Sequence, residues 1–214
     1  MTLTPVFARP DFFIFDKPAG ISFHSESGTG FFAGIAALYP DEKLFPVHRL
    51  DRITSGLVLI ARNKEAAQQF GKLFESGKVD KTYIAFSDKK PNKKQGSIIG
   101  DMHKSRSGNW KLLRSKQHPA ITRFESKSSD VLFKDKPLRL FILKPQTGKT
   151  HQLRVMMKAI GSPILGDERY GGTPADRGYL HAAALEFEWK GEKINCEQKP
   201  AFSRPLPGSA ESTC

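Results

Sequence analysis

His48-Arg49-Leu50-Asp51-Arg52-Ile53-Thr54-Ser55-Gly56 runs straight into Leu57-Val58-Leu59-Ile60-Ala61. The second half is a continuous apolar run of buried-strand length, apolar on both faces. The first half, which follows Pro46, is the densest polar cluster in the sequence. A polar loop that feeds a core strand presents its side chains from a rigid support, and such loops often carry function. Asp51 stands between Arg49 and Arg52. Spacing alone leaves two readings level: a functional carboxylate, or an ordinary loop with a local ion pair.

Working outward, residues 11–16, DFFIFD, read as a strand that Pro18-Ala19-Gly20 turns. Phe31 to Leu38 reads as a short helix closing at Pro40. After the apolar run, Asn63 is placed to cap a helix and Glu65 suits its first turn. Ala66, Ala67, Phe70, Leu73 and Phe74 then recur at helical spacing, and Gly77 follows. Lys81 to Phe86 returns to strand character, and 88–96 is a solvated loop with four lysines. Two or three strands are expected over 98–125 and another over Leu138–Leu143. Gln152 to Ile160 predicts a helix with Leu153, Met156, Met157 and Ile160 on one face, and Tyr179 to Trp189 a last strand region. Many strands with few helices make an α+β domain. There is no repeat and no break in composition, so one domain is expected over 1–202. Residues 203–214 have the composition of a flexible tail.

The chain has 34 Lys plus Arg against 22 Asp plus Glu, a formal charge of +12. So basic a chain points to a polyanionic partner, without choosing among DNA, RNA and an anionic membrane. No apolar run approaches the roughly 20 residues of a membrane span, and the first residues lack a secretory pattern. Two cysteines, Cys196 and Cys214, make no disulfide framework, and a cytoplasmic location is expected. The six histidines show no HExxH and no Cys companion, so no metal is expected.

Two further clusters could carry chemistry. Thr147-Gly148-Lys149-Thr150-His151-Gln152-Leu153-Arg154 enters the predicted helix behind a turn glycine, where a phosphate could bind. Gly148-Lys149-Thr150 looks like the end of a phosphate loop, but the first glycine of that motif should fall where Leu143 stands. Taken locally, Arg154 reads as a solvent-facing helical arginine. Tyr83, in Lys81-Thr82-Tyr83-Ile84-Ala85, reads as a core or interface residue.

In this order the clusters resemble the RluA-type family of pseudouridine synthases. HRLDRITSGL at 48–57 stands where that family has HRLDxxTSG. KTYIA at 81–85 is similar to its KxYxA strand, and GKTHQLRV at 148–155 to its GRTHQLRV motif. Asp16-Lys17-Pro18-Ala19-Gly20, Pro163-Ile164-Leu165-Gly166-Asp167 with Tyr170-Gly171, and Leu180-His181-Ala182 fit further motifs. The likeness spans roughly 11–200. Lys149 departs from the usual arginine, and Met156 stands where histidine is common; both bear on RNA contacts or packing more than on chemistry. Many relatives carry an S4 domain before the catalytic domain; with DFFIFDKPAG beginning near residue 11, a member without one is expected.

The resemblance implies a central mixed, mainly antiparallel sheet with flanking helices and a basic cleft. It implies Asp51 as the indispensable carboxylate, Tyr83 stacking on the base, and Arg154 paired with Asp51. Arg49 matches a residue that helps displace the flipped nucleotide; Lys81, Lys149 and Gln152 are expected to contact RNA. The implied reaction isomerises uridine in tRNA or rRNA, by a monomer, with no cofactor. Moving C1′ from N1 to C5 of uracil involves no redox change and no net hydrolysis. A base inside a helix must be flipped out, at roughly a few kcal/mol. The competing readings are a non-catalytic RNA-binding domain, which intact Asp51, Tyr83 and Arg154 disfavour, and a DNA-binding or nucleotide-hydrolysing protein, for which no motif is complete.

Overall fold

The computed structural model describes residues 3–24, 30–106 and 108–203. In chain order the strands are β1 (Phe7–Ala8), β2 (Phe12–Lys17), β3 (Phe45–Pro46), β4 (Thr54–Ala61), β5 (Asp80–Ser87), β6 (Gln95–Gly100), β7 (Met102–Lys104), β8 (Trp110–Leu112), β9 (Ala120–Phe133), β10 (Lys136–Pro145), β11 (Leu180–Trp189) and β12 (Glu192–Glu197). The helices are α1 (Phe31–Leu38), α2 (Lys64–Glu75) and α3 (Gln152–Ala159).

β4 organises the molecule because both its faces are apolar. It lies between β2, antiparallel, and β11, parallel. Leu57, Leu59 and Ala61 pack with Phe12, Phe70 and Phe187, while Val58 and Ile60 pack with Phe13, Phe15 and Phe31. Burying one such aliphatic side chain contributes roughly 1.5–3 kcal/mol. The sheet runs β1-β2-β4-β11-β5-β10-β9-β6, with β12 added to β11 and β3 to β4. Among the described pairings only β4 with β11 is parallel. The mixed, mainly antiparallel α+β architecture is therefore the one expected.

α2 forms where its cap predicts: Asn63 Oδ1 accepts from Ala66 N–H at 2.8 Å, and Phe70 stacks on Trp189 with ring centroids 4.1 Å apart. α3 buries Leu153, Met156 and Met157 against β5, β10 and the 164–165 turn, so Met156 is a packing residue. The short strands β1 and β3 and the hairpin strand β12 were not expected. Nor was the length of β9, which continues to Phe133. The two hairpin turns involved use positive-φ pairs, Lys134 with Asp135 (φ 49° and 61°) and Lys190 with Gly191 (φ 51° and 83°). Beyond Ser203, the expected tail lies outside the described residues.

Candidate active site

Asp51 is held by what surrounds its loop. Gly20 N–H donates to Arg52 O at 2.7 Å, and Arg52 Nε donates back to Gly20 O at 2.9 Å. The turn at 17–21 is fixed in its place by Lys17, a fully buried ammonium that donates to Pro18 O and Ile21 O, both at 2.8 Å. Burial lowers the Lys17 pKa to about 8, against the opposing pull of Asp51. Leu50, 6% exposed, anchors the other flank of the loop in the core. Thr54 N–H donates to Asp51 O at 3.0 Å and closes the turn into β4.

The Ser55-Gly56 step answers to β11. Gly56 has φ +108°, and a Cβ there would stand 2.3 Å from Ala182 O, so only glycine lets β4 approach β11 this closely. Ser55 Oγ lies 2.9 Å from His181 Nδ1 and accepts from Arg177 at 2.7 Å. His181 Nε2 faces Gln198 O at 2.9 Å and so donates to it, which leaves Nδ1 to accept the serine proton. Burial lowers the imidazole pKa and keeps it in that neutral form.

A cleft of about 450 Å³ opens at the end of β4 and β5, where α3 begins. Arg49, Asp51, Lys81, Tyr83, Lys149, Gln152 and Arg154, the seven residues singled out in the sequence, all line it. They come from three separate stretches of chain, and it is the sheet order that brings them together. Asp51 shows 21% of its side chain, and Arg49 is exposed at the lip. Tyr83 reaches the cleft from β5; burial first, and the charge of Asp51 second, raise its pKa and keep the phenol protonated. Burial lowers the Lys81 pKa, and its ammonium lies 5.8 Å from the Phe74 ring centroid. His48 Nε2 accepts from Leu59 N–H at 2.9 Å, and burial lowers its pKa to about 3.

Three of these residues differ from their expected surroundings. Arg154 is not solvent-facing: its side chain is 7% exposed. Its two close contacts are not with Asp51 but with Asp167, whose side chain is 1% exposed: Nε to Oδ2 and Nη2 to Oδ1, each 2.8 Å. Asp51 is the looser partner, with Oδ2 3.4 Å from Nη1. Burial is the largest influence and works against the arginine's charge, but the bond to Asp167 and the charges of Asp167 and Asp51 together outweigh it and raise the pKa. Gln152 is 4% exposed, and its amide is fully used. Oε1 accepts from Thr147 Oγ1 and Lys149 N–H, and Nε2 donates to Ile121 O and Thr122 Oγ1. It fastens the 147–149 loop to β9 and has no hydrogen-bonding capacity left for RNA. Lys149 donates its ammonium to His118 O.

Sequence reasoning gave no role to Asp167, Tyr170 or His151, although each stands in a quoted motif. The signal available was Gly166-Asp167. Gly166 has φ +78°, and a Cβ there would meet Arg177 O at 1.8 Å, so the glycine permits the tight turn that delivers Asp167 beneath Arg154. The Arg154 guanidinium also sits 4.9 Å from the Tyr170 ring centroid. Among the described residues no group of three or more His, Cys, Asp or Glu could hold a metal.

The arrangement is a partly exposed carboxylate in a basic, part-apolar cleft, backed by a buried ion pair and flanked by an aromatic ring. The sequence profile of the RNA pseudouridylate synthase family matches residues 11–159. The chain is similar to an uncharacterized RNA pseudouridine synthase of Haemophilus influenzae, 50% identical over 94% of this chain and 89% of that protein. It is 32% identical to the ribosomal large subunit pseudouridine synthase C of Escherichia coli, over 83% of this chain and 60% of that one. The solved structure of human RNA pseudouridylate synthase domain containing 1 superposes with a TM-score of 0.79, at 26% identity, over 93% of this chain and 84% of that one.

Proposed function

The chain belongs to the RNA pseudouridylate synthase family and isomerises uridine in RNA to pseudouridine, and on that premise we propose that Asp51 is the carboxylate the reaction depends on. The observation that supports this is the convergence of seven sequence-chosen residues on one cleft, with Asp51 set against the buried Arg154–Asp167 pair. Among the described residues, Glu75 is the other carboxylate lining the cleft, and no ion pair joins it to Arg154; both oxygens of the buried Asp167 are taken up by Arg154.

The reaction breaks N1–C1′ and forms C5–C1′; C5 loses a proton and N1 gains one. A carboxylate can serve as nucleophile or as base in such a sequence. Arg154 Nη1 approaches Asp51 Oδ2 at 3.4 Å and restricts the rotation of the carboxylate. Tyr83 offers a face for the flipped uracil, a contact worth about 1–3 kcal/mol. Its raised pKa makes it a hydrogen-bond donor first. It can take a proton from C5 only after passing its own on, since burial first and the charge of Asp51 second hold it protonated. Arg49, Lys81 and Lys149 supply positive charge at the lip for the flanking phosphates.

The substrate class we propose is tRNA or rRNA. The Escherichia coli relative's name refers to the ribosomal large subunit, which favours rRNA. The proposal has the chain acting as a monomer in the cytoplasm; two cysteines in 214 residues support a reducing compartment. Among the described residues, no helix is long and apolar enough to cross a membrane. Mapping pseudouridines in total RNA from cells with and without the gene tests this. At least one tRNA or rRNA site should vanish with the gene and return with the wild-type copy; an unchanged map would contradict the reading.

A further inference from the structure

His151 sits at the start of α3 with φ 56° and ψ 18°, left-handed backbone that few residues other than glycine adopt. Such conformations persist where the surroundings over-determine them. Here the surroundings are Tyr170, 1% exposed, whose ring stands edge-on to the imidazole at 5.6 Å and whose hydroxyl lies 2.7 Å from Nδ1. Trp110 N–H donates to the same hydroxyl at 3.2 Å. The hydroxyl has one proton of its own, and among the described residues Nδ1 is the acceptor left for it. Leaving a buried hydroxyl proton without an acceptor is costly, so Nδ1 accepts. The neutral imidazole then carries its proton on Nε2, the nitrogen that faces Asp51 Oδ1 at 3.9 Å. Arg154 approaches the other oxygen, Oδ2.

We propose that His151 is a positioning residue for the isomerisation: its Nε2–H, fixed by the Trp110–Tyr170 relay, holds Oδ1 of Asp51 while Arg154 holds Oδ2, so that the carboxylate keeps one orientation toward the flipped uridine. The 3.9 Å separation closes to a hydrogen bond through a side-chain movement of about 1 Å as uridine fills the cleft. Burial lowers the imidazole pKa, with Arg154 and Arg169 acting in the same sense and Asp51 and Asp167 against it, which agrees with a neutral donor. The inference rests on Asp51 being the reacting carboxylate.

Two substitutions separate positioning from a merely structural role. Asparagine tolerates left-handed backbone and would satisfy a structural need, but it places nothing where Nε2 stands. Glutamine is the poorer fit to the backbone, yet its amide N–H reaches the Nε2 position. His151→Gln should keep a single-turnover rate within about tenfold of wild type. His151→Asn should lose about a hundredfold, the scale of a reacting group misplaced by 1 Å. Both should bind substrate RNA with unchanged Kd. Tyr170→Phe keeps the ring and removes the relay, and should lower kcat without moving KM. Nitrogen-15 NMR of the histidines should show His151 as the Nε2–H tautomer at neutral pH. An Nδ1–H tautomer, or His151→Asn turning over as fast as His151→Gln, would overturn the proposal. Activity in Asp51→Asn would instead remove the reading of Asp51, so the two failures are told apart.

Discussion

A guanidinium that is 7% exposed must have its charge answered at close range, and Arg154 has two carboxylates within reach. The fork to Asp167 is closed and buried; the contact to Asp51 is single and 0.6 Å longer, 3.4 against 2.8 Å. Arg154→Ala should therefore destabilise the fold mainly through a stranded Asp167, by about 3–5 kcal/mol. In double-mutant cycles read by urea unfolding, the coupling of Arg154 to Asp167 should exceed that to Asp51 by about 1 kcal/mol or more; equal couplings would contradict this. Arg154→Lys keeps charge but loses the fork, and should lose most activity. Tyr83→Phe keeps the stacking ring, so Kd for RNA should hold while turnover falls at least about tenfold; unchanged turnover would take the hydroxyl out of the mechanism. The sequence made Asp51, Tyr83 and Arg154 visible because motifs preserve their spacing. It hid the Arg154–Asp167 pair because a pairing across a turn has no helical or strand period.

Among the elements, α2 was legible down to its cap because Asn63 and the apolar spacing act locally, and β4 because both its faces are buried. β12 was missed because Glu192–Glu197 alternates only weakly and its turn, Lys190-Gly191, gives one glycine as signal. Lys134-Asp135 has no glycine at all, and cross-strand pairing over Ala120–Pro145 holds those positive φ values in place. Gly56→Ala should force β4 away from β11, with a loss of about 2 kcal/mol or more in unfolding free energy and loss of activity; a neutral effect would contradict the close approach. The β3–β4 junction also predicts a pH response. His48 binds no proton in the native state above about pH 3, whereas the unfolded chain binds one below 6.5. Its contribution is complete above about 6.5 and is lost as pH falls, at about 1 kcal/mol per unit, somewhat under the limiting slope because the ring edge reaches the cleft. His48→Gln, which can still accept from Leu59 N–H, should flatten that loss in melts at pH 7.5 and 5.5.

At the scale of the molecule, the +12 charge and the basic lip of the cleft predict that RNA binding weakens steeply with salt. With about four to six phosphates neutralised, the log–log slope of affinity against salt should lie near −3 to −4. A flat response would show that the charge does not report RNA contacts. The α+β class and the sheet with its cleft were readable from motif order, since loops that carry chemistry must meet at strand ends. Which motif residues face RNA and which hold the scaffold was not readable, as the saturated amide of Gln152 shows. The central claim is that one carboxylate, Asp51, sustains the isomerisation. It is tested most directly by single-turnover release of tritium from C5-labelled uridine in substrate RNA, comparing wild type with Asp51→Asn. The amide keeps the shape and removes the charge, so the variant should fold, bind RNA with a similar Kd and release no tritium. Release at even about a tenth of the wild-type rate would contradict the account.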